Sequence, residues 1–235
     1  MIIHKLIGGF LMHKGGFPEF YSLQATDAVQ WIQKKGVTLN SATTVLDLGC
    51  GYGDFGGELA KIGCRVTLAD DDSYVLPEFT HLPFRRINID RDELQVLGKY
   101  DLVICSNVFE HLSQPDRLLN SMHLLLRPCG KFYFSWTNWY SPWGGHEFSP
   151  YHYLGPKLGY RFYAEWLGKS SQHVPYKNLF PTYVGSTLGE IRKNTRLRIV
   201  RVAPRYYPEF SFIMRLPVFR EFFAWNCALL IEKSD

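Results

Sequence analysis

Asp47-Leu48-Gly49-Cys50-Gly51-Tyr52-Gly53 places an acid at the head of three glycines at alternate positions. Glycine accepts backbone angles closed to other residues and lets a ligand approach the main chain. A carboxylate beside such a turn can hold an ammonium group. A dinucleotide loop has the spacing GxGxxG, which sets a pyrophosphate on a helix N-terminus. The GxGxG spacing here suits a ligand with a cationic amino-acid end and no phosphate. Two later stretches also carry chemistry: Ser106-Asn107-Val108-Phe109-Glu110-His111 and Gly144-Gly145-His146-Glu147-Phe148-Ser149-Pro150-Tyr151-His152. Histidine is suited to take a proton near neutral pH. His111, His146, Glu147 and His152 are therefore candidate bases or hydrogen-bond partners. His146-Glu147 does not continue as HExxH, so no helical zinc site is indicated and no metal ligand is assigned.

These residues need elements to position them. Residues 44–46 form a short β-branched and apolar run, expected to be a buried parallel strand entering the glycine turn. A helix over 54–62 should follow, ended by Gly63. Further strands are expected over 65–69, ending at Asp70-Asp71-Asp72, over 86–89, ending at Asp90, and over 101–105, ending at Ser106-Asn107. The clearest helix covers 115–126. Leu118, Leu119, Met122, Leu125 and Leu126 form its stripe, and Pro115 suits its first turn. Arg127-Pro128-Cys129-Gly130 should stop it before a fifth strand over 131–134. Helical spacing over 25–35 belongs to an N-terminal helical cap, residues 1–40. The alternation implies an α/β domain with a parallel sheet and helices on both faces. Ligands of such sheets sit at the carboxyl ends of the strands, where these acids fall. Residues 41–135 read as the binding core, 136–195 as an insertion, and 196–235 as closing strands over 197–203 and 225–231.

The insertion is aromatic: between Trp136 and Trp166, 11 of 31 residues are Phe, Tyr or Trp. They can stack on a sugar or an aromatic group, enclose a lipid-linked one, or form a second small core under a lid. Gly144-Gly145 is expected to let the loop turn beside a ligand. Residues 215–225 are read first as an ordinary packed helix, and second as a segment lying on a membrane surface.

A chain of 235 residues supports one large domain. The net charge of +4 is not gathered into one basic block, which argues against a dedicated nucleic-acid binder. The five cysteines contain no CxxC pair, so they read as buried reduced thiols of a cytoplasmic protein. No apolar run approaches the roughly 18 residues of a membrane span. Residues 1–17 are broken by His4, Lys5, His13 and Lys14 and make a poor signal peptide.

Val45 to Gly53 resembles the first motif of class I S-adenosylmethionine-dependent methyltransferases. Other matches follow in that family's order over 44–135. Asp70 resembles the acid that grips the ribose hydroxyls, with Asp71 as the alternative. Asp90 resembles the residue near the adenine amino group. Ser106 to Leu112 resembles the segment after the fourth strand. Leu125-Leu126-Arg127-Pro128-Cys129-Gly130 resembles a Leu-Lys-Pro-Gly-Gly turn with Cys129 in a glycine's place. The resemblance implies a Rossmann-like, seven-stranded, mostly parallel sheet with helices on both faces and an aromatic-rich insertion after strand 5. It implies S-adenosyl-L-methionine as cofactor and S-adenosyl-L-homocysteine as product. Asp47, Gly49, Cys50, Gly51, Gly53, Asp70, Asp71, Asp90, Ser106 and Asn107 would surround the cofactor. His111, His146 and Glu147 stand as catalytic candidates. Ubiquinone-biosynthesis O-methyltransferases carry a similar Glu-His pair that helps bind a divalent metal, but Asn107 stands where they have an acid, so no metal is implied.

Pro204-Arg205-Tyr206-Tyr207-Pro208, Leu216-Pro217-Val218-Phe219-Arg220-Glu221, Trp225-Asn226 and the loop over 141–152 resemble uncharacterised actinobacterial methyltransferases associated with cell-envelope glycan genes. This implies methyl transfer to an oxygen of a small-molecule, glycan or glycolipid acceptor, with peripheral membrane contact left open and no nucleic-acid partner. The alternatives are N- or C-methylation of another metabolite and, in a different class, a non-catalytic S-adenosylmethionine-binding protein.

Overall fold

The computed structural model describes residues 4, 6–8 and 19–234. The reading of residues 1–17 as a poor signal peptide, and most of the cap before residue 19, lie outside the described residues. In chain order the elements are α1 (Phe20–Lys34), β1 (Thr44–Leu48), α2 (Asp54–Lys61), β2 (Arg65–Asp70), β3 (Phe84–Arg86), β4 (Tyr100–Ser106), α3 (Pro115–Ser121), β5 (Leu126–Thr137), α4 (Pro156–Arg161), α5 (Val184–Lys193), β6 (Leu197–Pro204), α6 (Pro217–Phe223) and β7 (Asn226–Lys233).

The strands form one seven-stranded sheet in the order β3-β2-β1-β4-β5-β7-β6. Strands β3 through β5 are parallel, whereas β7 runs antiparallel to both β5 and β6. Successive strand residues point to opposite faces, and each face is apolar because helices cover both. Leu46, Leu48, Val103, Cys105, Phe132 and Phe134 face one layer, with Leu118 and Leu119 of α3 and Val184, Leu188 and Ile191 of α5. Val45, Leu102, Ile104 and Tyr133 face the other, with Ala28, Val29, Trp31 and Ile32 of α1 and Leu59 of α2. The strand order reverses between β1 and β4, and the crevice of such a sheet opens there.

Several boundaries differ from the sequence expectation. The helix expected over 115–126 ends at Ser121, and a 3₁₀ turn, Met122–Leu124, leads straight into β5. Its apolar stripe is buried as expected. Leu126 is claimed by the ladder, where it pairs with Tyr100. Pro128-Cys129-Gly130 therefore lies inside β5, beside its register shift, and does not end a helix. Strand β3 is only Phe84–Arg86. The apolar residues that suggested a strand over 86–89, Ile87 and Ile89, are buried beyond its last rung. Four cysteines are buried and Cys129 is exposed. No residue of helix α6 is fully buried, but the helix packs through half-buried Arg220 and Glu221, whose carboxylate accepts the Val184 and Gly185 amides of α5, and through Phe222 stacked on Tyr140, while its other apolar side chains are exposed.

Candidate active site

Strand β1 delivers the chain into the glycine turn, which is bonded across to β2. The Gly49 and Cys50 amides donate to Ala69 O at 2.8 and 3.1 Å, and the Gly51 amide donates to Asp70 Oδ2 at 2.8 Å. Gly49 has φ 72° and Gly53 has φ 89°. A Cβ at Gly49 would lie 2.3 Å from Val108 Cγ2. The turn thus needs glycine both for its left-handed backbone and for its contact with the segment after β4.

Asp47 is buried at the end of β1, and its Oδ2 accepts the Gly56 amide at 2.8 Å. Burial pushes its carboxyl up to about 7 against the Gly56 hydrogen bond, and the nearby Asp70 and Asp54 add to the rise. Burial likewise pushes the Cys50 thiol up, so Cys50 is an inert wall.

A cleft of about 210 Å³ opens over this turn, at the carboxyl ends of β1 and β4. Asp47, Gly49, Cys50, Gly51, Ser106 and Asn107 line it, together with Tyr21, Gln24, Tyr52, Asp54 and Phe55. The Gln24 Nε2 is buried with no hydrogen-bond partner. A buried amide donor left unmet is costly, and it matches a ligand carboxylate. Asp47 in the same lining matches an ammonium. The wall therefore fits the amino-acid end of a cofactor such as S-adenosylmethionine.

Gly53, Asp70, Asp71 and Asp90 are not part of that lining. Gly53 caps the start of α2. Asp70 accepts the Gly51 and Asp71 amides on its two oxygens, each at 2.8 Å, so it shapes the turn. Asp71 beside it is exposed. Asp90 accepts the Ser113 amide at 2.9 Å, the Ser113 hydroxyl at 2.9 Å and the Gln114 amide at 2.8 Å, which anchors the entry to α3.

Asn107 has φ 56°, unusual for a residue other than glycine. Its Oδ1 accepts from Arg205 Nη1 and Asn226 Nδ2, both at 3.0 Å. Both acceptor directions are thereby used, and the amide Nδ2 is the end left to serve the cleft. Arg205 is itself buried, bonded to Ser106 Oγ at 3.1 Å and Gln24 O at 3.2 Å, and sits over the Phe55 and Tyr206 rings. No carboxylate pairs with it among these contacts.

The 3₁₀ turn after β4, Phe109–His111, carries the second part of the site. The buried Glu110 turns inward and accepts the Thr137 amide at 2.9 Å. His111 turns the other way, toward His146 and His173, with ring centroids 5.1 Å from each, while His146 and His173 are 4.4 Å apart. All three are half-buried. His111 Nδ1 lies 2.8 Å from Asn178 O, and a carbonyl only accepts, so Nδ1 carries the proton and Nε2 the lone pair. His173 Nδ1 faces both Glu147 oxygens at 2.8 and 2.9 Å. Burial alone would raise the Glu147 carboxyl, but hydrogen bonds from Ser171, its own backbone and His173 hold it below the usual range. His146 has φ 51°, and its Nδ1 is shut off from solvent without a hydrogen bond of good geometry. Burial, with His111 and His173 adjacent, pushes His146 down to about 3.

The rest of the insertion is largely scaffold. His152 is buried, its Nε2 3.0 Å from Ser141 O. Trp139, Phe148 and Leu179 form a small core of their own. Gly144 is required because a Cβ would lie 1.8 Å from Trp139 O, and Gly145 because one would press on His152. Their expected role of turning beside a ligand is replaced by internal packing. Tyr21, Gln24 and His173 carry no motif in the sequence, and Arg205 stands in a stretch that marks kinship without a role at the site. Only folding brings α1, the end of β6 and the loop over 171–178 to the glycine turn and the β4 segment.

The methyltransferase-domain family profile matches residues 20–200. An uncharacterised methyltransferase of Mycobacteroides abscessus is 30% identical over 246 residues, covering 97% of this chain and 92% of that protein. One of Mycolicibacterium gilvum is 30% identical over 259 residues, covering 98% and 93%. The crystal structure of an S-adenosylmethionine-dependent methyltransferase from Mesorhizobium loti superposes with a TM-score of 0.59 at 20% identity, covering 88% of this chain and 98% of that one. With a profile match over most of its length and actinobacterial relatives along nearly all of it, the chain belongs to the methyltransferase-domain family.

Proposed function

We propose that the chain transfers the methyl group of S-adenosylmethionine to a hydroxyl oxygen of a small-molecule, glycan or glycolipid acceptor. The observation that carries this reading is the position of His111, on the same post-β4 segment whose Ser106 and Asn107 line the cleft, with His146 and His173 folded against it from the insertion. When bound, S-adenosylmethionine supplies a sulfonium methyl: the O–C bond forms as the S–C bond breaks, the electron pair stays on sulfur, and the hydroxyl proton must be taken up. Asp47 and Gln24 hold the ammonium and carboxylate ends of the cofactor. Asp70, which also keeps the glycine turn closed, meets the ribose hydroxyls, with exposed Asp71 beside it as the alternative. Asp90 serves as the anchor of the 113–114 turn. The Asn107 amide, fixed by Arg205 and Asn226, orients the ligands at the cleft edge. His111 Nε2 meets the acceptor hydroxyl. His146, with its basicity suppressed, is a wall of that centre, and Glu147 acts through His173. Alignment supplies much of the rate, and proton removal about a further 10²–10⁴-fold.

Turnover to S-adenosylhomocysteine is measured with a panel of glycans, phenols and amines. His111→Ala is expected to lower kcat about 10²-fold or more while calorimetry shows unchanged S-adenosylmethionine affinity. Full turnover in that variant, or turnover with amines alone, sinks the reading.

A glycolipid acceptor is favoured by one surface. Phe212, Leu216, Val218, Phe219 and Phe223 are all exposed on the consecutive turns from 208 to 223, with Arg215 among them. Contiguous exposed apolar side chains with a basic residue suit the headgroup region of a bilayer.

A further inference from the structure

We infer that His111, His146 and His173 form a binding site for one divalent transition-metal ion of the zinc or cobalt type. One ring nitrogen from each residue lies within 4.8 Å of the other two. Around a tetrahedral ion with Zn–N bonds of about 2.0–2.1 Å, ligand nitrogens are about 3.4 Å apart. The rings need to close by little more than an ångström.

The surroundings argue for a cation more strongly than the distances do. Metal-binding histidines typically donate their other ring N–H to a carbonyl or a carboxylate, which fixes the tautomer and aims the lone pair. His111 does this through Nδ1 to Asn178 O, and His173 through Nδ1 to Glu147. Ser171 Oγ in turn donates to Glu147 Oε2 at 2.8 Å. Asn178 works twice: its carbonyl orients His111, and its side chain bonds the Val174 amide at 2.7 Å and Gln172 O at 2.9 Å, which holds the loop carrying His173. The third member, His146, has a solvent-excluded Nδ1 that makes no hydrogen bond of good geometry, with the Gly144 backbone beside the ring. Its left-handed backbone, φ 51°, is the sort of local strain that persists where the surroundings dictate it. Three imidazoles crowded this closely, two of them aimed by acceptors behind, lack a shared partner. A cation supplies one.

The three ligands come from the turn after β4, the turn His146–Phe148 and the loop over 171–178. They are 35 and 27 residues apart in sequence, so no motif announces them. Glu110 is not among them. Three nitrogen ligands leave a coordination position open, the arrangement of catalytic rather than structural zinc sites. The site lies beside the cofactor cleft: Asn107 of the same segment lines it, and Glu147 is close enough that its charge, after burial, Tyr52 and Asp54, helps raise the phenol of the cleft residue Tyr21. Such an ion would lower the pKa of a bound acceptor hydroxyl so that its proton leaves to solvent, with His111 Nε2 then a ligand instead of the base. That role rests on the proposed function. The site itself does not.

Tag-free, metal-stripped protein is titrated with Co²⁺ and followed by visible absorption and by metal content after gel filtration. Wild type should bind one ion per chain with the absorption of a four- or five-coordinate nitrogen site. His146→Ala and His173→Ala should each weaken binding about a hundredfold or more, and Glu147→Gln about 10–100-fold. His81→Ala, at an exposed histidine elsewhere, should leave it unchanged. Circular dichroism and S-adenosylmethionine affinity should match wild type in every variant, so a lost fold cannot imitate a lost ligand. No saturable Co²⁺ binding by wild type, or wild-type binding by the His146→Ala/His173→Ala double variant, overturns the inference. Co²⁺ binding without methyl transfer to any hydroxyl keeps the site and removes the acceptor chemistry. Transfer without Co²⁺ binding does the reverse.

Discussion

Asp47 carries a cost that a cationic ligand would relieve. Its carboxyl is buried and stands at about 7 in the folded chain, above the unfolded value. Between the ordinary carboxylate range and pH 7 the folded state holds the proton more tightly than the unfolded one. The contribution of Asp47 to the stability of the ligand-free protein therefore falls as pH rises through that window, by up to about 4 kcal/mol, and levels off above it. Buried His146, held at about 3, contributes with the opposite sign below about 6.5. Asp47→Asn should remove the Asp47 contribution, so that the stability of the variant gains on that of wild type as pH rises from the carboxylate range to above 7, as read from urea unfolding of both proteins across that window. Cofactor binding runs the other way. An ammonium ligand favours the ionised acid, so affinity should weaken as pH drops below about 7, with proton uptake on release. Calorimetry of Asp47→Asn should show affinity lower by about 10–100-fold, the worth of a hydrogen bond to a charged group, and almost flat with pH. A pH-independent wild-type affinity would remove Asp47 from the ammonium site.

At the level of elements, β5 shows how a local sequence rule yields to tertiary pairing. Cys129 stands where the resembling turn has glycine, and it adopts φ 62°. A side chain in that region costs roughly 1–2 kcal/mol, partly returned by its lower unfolded-state entropy. Cys129→Gly should raise stability by about 0.5–1 kcal/mol, read from the denaturation midpoint, with turnover unchanged because Cys129 is exposed and distant in sequence from every cleft residue. A lower midpoint would mean that the left-handed backbone is not strained there. The same competition shortened α3. Its stripe continues to Leu126 in sequence, but the β4 ladder takes that residue first. Helix α1 was read from residue 25 because its apolar spacing begins there, yet it starts at Phe20 and so brings Tyr21 and Gln24 to the cleft.

At the scale of the whole molecule, the described residues include two faces that suit binding: the cleft end of the sheet, and the apolar turns from 208 to 223. None of its described helices is long and apolar enough to cross a bilayer. Surface contact is the mode that the second face suits. Val218 is 68% and Phe219 58% exposed, so acidic substitutions there leave the core intact. Wild type should co-sediment with phosphatidylglycerol vesicles and less with phosphatidylcholine, given its net charge of +4. Val218→Asp with Phe219→Asp should lower that binding about tenfold or more, since each buried apolar side chain is worth roughly 1.5–3 kcal/mol. Equal recovery of both proteins with the vesicles would assign the patch to another contact.

Alternating apolar strands and helices, with glycine and acids at the strand ends, determined the sheet, its two covered faces and the donor end of the cleft. Such signals are local: a strand's burial pattern and a turn's need for glycine are written within a few neighbouring residues. Asp47, Gly49, Cys50, Gly51, Ser106 and Asn107 could be named from sequence for that reason, and the structure sets them around one cleft. Tertiary structure alone decided the rest. Asp90 is drawn to the α3 entry, Gly144 and Gly145 to internal packing, and Glu221 of α6 to the start of α5. Arg205 arrives behind Asn107 from the end of β6, and His173 joins His111 and His146 from a loop far along the chain. These meetings depend on which strands are neighbours and how the insertion folds back, and no spacing along the sequence encodes them.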